Sequence, residues 1–239
     1  HASRAPSWRV EHRLSAHRLA VMDLQQVVLP EGADERLLGA VADLQEVAGL
    51  RGVSLKVAEN KWTKQSIVLE RIVGNRRLRN GAYTVISDRT RLIVRASSDE
   101  GLANAVYGLC YDLFRARWYW PDDLGLEFVG EVPARFLHRR WSNRPAFVHR
   151  RLYPSNTEYA RRNRLNGVYQ FNHNLASVFT KELFEAEPEV FAIVRGRHRV
   201  PKGNRATDPQ PNFLKPRTVE VAAAAALQHF EEHPESRSF

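Results

Sequence analysis

The stretch Ser97 to Pro121 constrains the fold more than any other part of the chain. Ser97 stands where a helix cap is expected, and Glu100, three residues on, can close a capping box with it. Leu102, Ala105, Val106, Leu109, Cys110 and Leu113 then recur at helical spacing and define one apolar face. Asp99 and Glu100 in the first turn, and Arg115 and Arg117 at the far end, suit the helix dipole. The helix runs into Arg117-Trp118-Tyr119-Trp120-Pro121, where the proline cannot continue it. An amphipathic helix ending in an aromatic plug has to be buried, so the chain needs a layer for it to pack on.

The preceding residues supply that layer. His17 to Val28 includes a short strand-like run, and Pro30-Glu31-Gly32 reads as a turn. From Asp34 to about Gly49, Leu37, Leu38, Val41, Leu44, Val47 and Ala48 fall on one helical face, and Gly49 and Gly52 end it. Val53 to Val57 alternates like a strand with one wet face, whereas Ser66 to Val73 is dense enough for a buried strand. Gly81 to Ile86, a Ser87-Asp88 turn, and Arg91 to Arg95 read as a hairpin. The order β, α, β, β, β, β, α predicts a two-layer α/β sandwich, a mixed sheet carrying two helices, over residues 17–136. Residues 1–16 read as a poorly ordered lead-in, and the basic stretch 137–145 as a linker.

With those residues in view, "Gly-Leu-Ala-Asn-Ala-Val-Tyr-Gly-Leu" followed by "Arg-Trp-Tyr-Trp-Pro-Asp-Asp-Leu-Gly" resembles the end of the small α/β domain that precedes the catalytic barrel in α-glucuronidases and β-hexosaminidases. The chain most resembles a bacterial glycosidase-like family, domain of unknown function 4838. "Ala-Arg-Arg-Asn-Arg-Leu-Asn", "Phe-Asn-His-Asn", "Pro-Glu-Val-Phe-Ala" and "Glu-Glu-His-Pro-Glu-Ser-Arg" extend the resemblance in matching order over roughly residues 17 to 239. It implies that residues 146–239 open a TIM-like (β/α)8 barrel. Ala146 to Tyr153 reads as a first barrel strand, Asn156 to Arg164 as a short helix, Gly167 to Phe171 as a second strand, and Thr218 to Glu232 as a helix. A complete barrel takes about 250 residues, so the expectation is a truncated one.

The resemblance implies a glycoside hydrolase acting on polysaccharide, with the catalytic carboxylates on later strands, beyond residue 239, and this portion inactive. Glycoside hydrolysis needs two carboxyl groups across the sugar bond. Glu158, Glu182, Glu185, Glu187 and Glu189 lie on or beside helices and Asp208 in a long loop, so no acid here reads as catalytic. Substrate contacts are expected from His173, which follows a strand directly, and from the amides of Asn172 and Asn174 beside it. Arg150, Arg151 and Tyr153 close the first barrel strand. At a period of two, Arg151 and Tyr153 share a face, and an arginine there can hold a carboxylate with two parallel hydrogen bonds or form a scaffold salt bridge. Asn212 is a third contact candidate.

Charge enters in choosing the partner. The formal net charge is +9, which favours anionic partners, and acidic sugars are the sensible first guess. The arginines are scattered, with no basic helix, zinc-finger spacing or aromatic-basic RNA motif, which argues against nucleic acid. Two rival readings remain: a non-catalytic carbohydrate-binding protein on a degenerate barrel, and a nucleic-acid binder acting through its basic surface. The single cysteine, Cys110, lies on the apolar helix face and reads as a small buried hydrophobe. His229 and His233 have ligand spacing but no evident third partner, so no metal is expected, and no cofactor. No apolar run reaches the length of a membrane-spanning helix, about 18 residues. Opening on His1 rather than Met fits a processed, secreted or periplasmic protein. Oligomeric state is not legible.

Overall fold

The computed structural model describes residues 19–59, 61–88, 90–135, 140–152, 157–167, 174–202 and 210–239. The chain forms two compact units, His1–Asn166 and Gly167–Phe239.

The first unit is built on a six-stranded sheet. Its strands are β1 (Gln26–Leu29), β2 (Lys56–Glu59), β3 (Ser66–Arg71), β4 (Tyr83–Ser87), β5 (Arg91–Ala96) and, later in the chain, β8 (Arg140–Asn143). The spatial order is β2-β1-β3-β5-β4-β8. β1 pairs in parallel with β2 and β3, and β3 with β5, whereas β4 runs antiparallel to both β5 and β8. β3 has neighbours on both sides, which is why its dense run Ser66-Ile67-Val68-Leu69 is buried throughout. β2 is an edge and is largely exposed; the apolar pair Val53 and Leu55, read as part of that strand, is buried just before it. The predicted hairpin is β4–β5, closed by Asp88, whose Oδ1 accepts from the Thr90 and Arg91 amides.

Two helices cover this sheet. α1 (Glu35–Leu50) is capped by Asp34, whose Oδ1 accepts from the Leu37 amide at 2.8 Å. α2 (Asp99–Asp112) packs on α1 and over β3, β4 and β5. Val27, Ile67, Leu69, Val85, Leu92 and Val94 from the sheet meet Leu37, Val41 and Leu44 of α1 and Leu102, Val106 and Leu109 of α2 in one core. The observed sequence of elements, β1-α1-β2-β3-β4-β5-α2, is the predicted α/β order.

The cap of α2 differs from the sequence reading. Ser98, not Ser97, accepts from the Gly101 amide, and the Ser97 hydroxyl donates to the Leu78 carbonyl at 2.6 Å. Glu100 is drawn away from capping by Asn166, whose amide donates to it at 2.7 Å. α2 is also buried on every side from Gly101 to Cys110 rather than along one stripe, because α1 and the sheet close on it from different directions. Gly101 and Gly108, seven residues apart, make the close approach possible. A side chain at Gly101 would meet the Ala96 methyl at 2.7 Å, and one at Gly108 would meet the Tyr83 hydroxyl.

The aromatic plug is only partly a plug. Ala116–Trp118 forms a short strand, β6, antiparallel to β7 (Leu126–Phe128). Trp118 is buried, while Tyr119 and Trp120 at the hairpin tip are 53% and 72% exposed.

The stretch 137–145, read as a linker, contains edge strand β8, with Val85 opposite Trp141 and the Thr84 and Ser142 hydroxyls 2.8 Å apart. The compact first unit continues to Asn166. Within 146–152, where a first barrel strand is expected, the only pairing among the described residues is a single antiparallel bridge from Arg150 to Asn166. α3 (Thr157–Arg162) follows. The expected second strand, 167–171, lies outside the described residues after Gly167.

The second unit has a small core of its own. α4 (Leu175–Val178) and α5 (Lys181–Ala186) break at Phe179-Thr180, where Thr180 caps α5. Phe179, Val190 and Phe191 are buried, with Phe184 and Phe191 edge-on at 5.2 Å, and Val221 and Ala222 of α6 (Pro216–Glu232) pack against them. β9 (Ile193–Val194) and β10 (Arg197–His198) form a small antiparallel hairpin turned at Arg195 and Gly196, both at positive φ. Among the described residues of 146–239 no two strands pair in parallel.

Candidate functional site

The first unit contains a cleft of about 320 Å3 where the C-terminal end of α2, strand β6 and helix α3 converge. Its floor is a buried polar network. Tyr107, fully buried on α2, donates through its hydroxyl to Asp43 Oδ2 of α1 at 2.7 Å and accepts from Arg161 Nε at 3.0 Å. Arg162 grips the same carboxylate with two groups, Nη2 to Oδ1 at 3.1 Å and Nε to Oδ2 at 3.3 Å, and pairs with Glu158 at 2.6 Å. Trp118 stands edge-on to the Tyr107 ring at 5.8 Å.

The charges follow from this packing. Burial pushes the Tyr107 hydroxyl well above the ordinary tyrosine range, and its hydrogen bond to Asp43 and that carboxylate's charge push the same way. Burial works against the charge on Arg162, but the hydrogen bond and charge of Asp43, joined by Glu158, more than offset it and hold the guanidinium protonated. Asp43 and Glu158 thus both pair with Arg162.

The mouth is different in character. Tyr111 and Tyr119 are exposed and Tyr159 is half-buried. Arg117 lies over the Tyr111 ring, 3.0 Å from its centroid, and Arg164 approaches the same ring at 5.7 Å. The Asn163 amide donates to the Trp118 and Tyr159 carbonyls, both at 3.1 Å, which leaves its oxygen as an acceptor. Asn163 and Arg164 also line a second cavity of about 220 Å3, with Tyr83, Asn104 and Asn143. Aromatic faces, planar amides and guanidinium groups around a concave wall suit the binding of a polar small molecule. Among the described residues lining the cleft there is no carboxylate pair.

The residues expected to bind substrate are distributed otherwise. His173, Asn172 and Tyr153 lie outside the described residues. Asn174 precedes α4 and accepts from the Ser177 hydroxyl at 2.6 Å. It lines a cavity of about 480 Å3 in the second unit, beside Gln228, His229 and Phe239. Asn212 shapes the turn before α6: its Oδ1 accepts from the Leu214 amide, and its carbonyl accepts from the Thr218 hydroxyl at 2.8 Å. Arg151 is exposed. Its neighbour Arg150 turns inward, where Nε donates to the Arg164 carbonyl at 3.1 Å and Nη1 to the Phe147 carbonyl at 2.7 Å. Arg150 Nη2 is buried 3.8 Å from Glu100 Oε1, without a hydrogen bond. The scaffold alternative for these arginines therefore describes Arg150. Asn163 and Arg164 carried no functional signal in the sequence beyond the resemblance motif that contains them. Among the described residues no group of histidines, cysteines and acids could hold a metal ion, and no helix is long and apolar enough to cross a membrane.

No family profile matches the sequence, and no curated protein matches it. Solved structures do. The chain is similar to BtGH115A, described as a family GH115 4-O-methyl-α-glucuronidase with specificity for decorated arabinogalactans. The identity is 15%, over 60% of this chain and 24% of that one, with a TM-score of 0.45. It is also similar to the Flavobacterium johnsoniae chitobiase FjGH20, at 16% identity over 94% of this chain and 41% of that one, with a TM-score of 0.41. A third, described as a GH138 enzyme targeting pectin rhamnogalacturonan II, has 18% identity over 38% of this chain and 10% of that one, with a TM-score of 0.28. All three are glycoside hydrolases, and the chain spans less than half the length of each. At this level of likeness, function has to be argued from the residues themselves.

Proposed function

We propose that the chain is the N-terminal part of a glycoside hydrolase that acts on polysaccharide. The observation that carries this reading is the order β1-α1-β2-β3-β4-β5-α2 in a mixed two-layer unit, with the motif-bearing residues 97–125 forming α2, β6 and the turn that leads to β7. That is the order the resemblance implies for the small domain ahead of a glycosidase barrel. The aromatic and arginine-lined cleft adds a surface chemically suited to sugar. The barrel assigned to 146–239 rests on the resemblance alone.

The best-buried acids of the first unit are spent on structure. Asp43 serves Arg162 and Tyr107, Asp99 holds Arg71 and the Asp34 amide, and Glu100 holds Asn166. These acids therefore hold the scaffold, the cleft binds, and hydrolysis falls to carboxylates elsewhere in the full-length protein. The test is incubation of the full-length protein with a panel of uronic-acid and hexosamine glycosides. Turnover of at least one is expected, and a panel with no turnover at all contradicts the reading.

A further inference from the structure

Three guanidinium groups line the cleft, and they are unequally employed. Arg162 is neutralised by Asp43 and Glu158. Arg117 and Arg164 form no ion pair with a described carboxylate. Arg117 uses Nη1 on the Tyr111 and Ala116 carbonyls, both at 2.9 Å, and stacks on the Tyr111 ring, so Nε and Nη2 remain as donors. Arg164 sits at positive φ just after α3, which swings its side chain toward the same ring and the Tyr83 hydroxyl. Asp112 feels both guanidinium groups and that of Arg115. Among the described residues lining the cleft, positive charge therefore exceeds negative.

A small cleft of this kind selects its ligand by three features. The planar forks match an oxyanion such as a carboxylate bidentately. Tyr119, exposed at the mouth, offers a ring face for the apolar side of a sugar. The free oxygen of Asn163 accepts from a hydroxyl. The volume, about 320 Å3, lies at the small end for ligand sites, which range from about 300 to 1,000 Å3. We infer that this cleft is a binding subsite for an acidic sugar, whose carboxylate meets Arg164 and Arg117 while its ring lies against Tyr119. The inference rests on the carbohydrate reading above and deepens it, since it names the substrate class and the residues that select it. The small excess of positive charge suits a singly charged group, and the planar fork suits a carboxylate.

The experiment is calorimetric titration of the protein with a galacturonic acid trimer, its methyl ester, neutral galactotriose and a sulfated galactotriose. The ester keeps the ring and removes the charge. The free acid is expected to bind, and the ester and the neutral trimer to bind about tenfold more weakly or worse, the value of a charged hydrogen bond. Arg164→Gln and Arg117→Gln should each weaken the acid by a similar factor while leaving the ester unchanged, and Arg164→Lys should fall between. Thermal melts identify any variant that fails to fold, and the other arginine then carries the test. Equal binding of acid and ester, no binding of the acid, or indifference to both substitutions overturns the inference. Tighter binding of the sulfated trimer overturns the carboxylate assignment. Because the readout is affinity, the two proposals separate. Arginine-dependent binding with a blank turnover panel removes the enzyme and keeps the subsite; turnover with acid and ester bound alike does the reverse.

Discussion

Asp43 and Arg162 are 119 residues apart in sequence and meet under the protein's surface, with side chains only 11% and 8% exposed. Neither is singled out by its neighbours in the chain: Asp43 interrupts an apolar helix face, and Arg162 is one of four arginines and asparagines in a row from Arg161 to Arg164. A pair of this depth gives up hydration that its Coulomb attraction only partly returns, so its loss is felt mainly through the partner left behind. Asp43→Ala should therefore destabilise the first unit by about 3 kcal/mol, the low end for breaking a buried pair, because it leaves Arg162 only the more exposed Glu158 and removes the Tyr107 acceptor. Replacing both members with apolar residues of similar size should recover much of that loss. Urea denaturation of the single and double variants checks this, and a double variant no more stable than Asp43→Ala would show that the charge was not the cause. The same limit on local reading explains Ser97 and Ser98. Both are plausible caps by composition, and only the Leu78 carbonyl, brought in by the fold, decides between them. Cys110, by contrast, reads correctly as a buried hydrophobe, since an apolar helix face is a local property; burial pushes its thiol far above the ordinary range.

At the scale of elements, what was legible is what local periodicity encodes. α1, α2, the β4–β5 hairpin and the buried character of β3 all follow from apolar spacing, caps and turn residues. β8 was not legible, because Arg140-Trp141-Ser142-Asn143 offers one apolar residue in four and becomes a strand only through the free edge of β4. β6 was hidden for a related reason. A cluster of three aromatics looks uniformly apolar in sequence, yet the hairpin with β7 buries Trp118 and turns Tyr119 and Trp120 outward. Burial of α2 on every side from Gly101 to Cys110 also exceeds what one apolar stripe predicts, and small residues are what permit it. Gly101→Val should therefore cost about 1–3 kcal/mol by overpacking against Ala96 and the Ala82 carbonyl. Thermal denaturation measures it, and a variant as stable as the parent would mean that α2 can shift away from the sheet at little cost.

Over the whole molecule, the fold class was read from sequence and the candidate site largely was not. The α/β unit depends on the pattern within each element, whereas the cleft depends on residues from α2, β6 and α3 that no short window contains. The expected site residues were chosen for their place at the ends of barrel strands. In the described residues Asn212 is instead engaged in a turn and Asn174 lines a cavity of the second unit, while Arg150, Asn163 and Arg164 line a cavity of the first. The net charge of +9 acquires a local meaning here, because Arg117 and Arg164 at an aromatic mouth form no ion pair with a described carboxylate. The central claim is that this mouth takes up acidic sugar, and amide hydrogen exchange with and without the galacturonic acid trimer tests it most directly. The account predicts slower exchange in the ligand's presence within β6 and residues 159–166, and little change along β2. Uniform exchange, or protection confined to other parts of the chain, would contradict it.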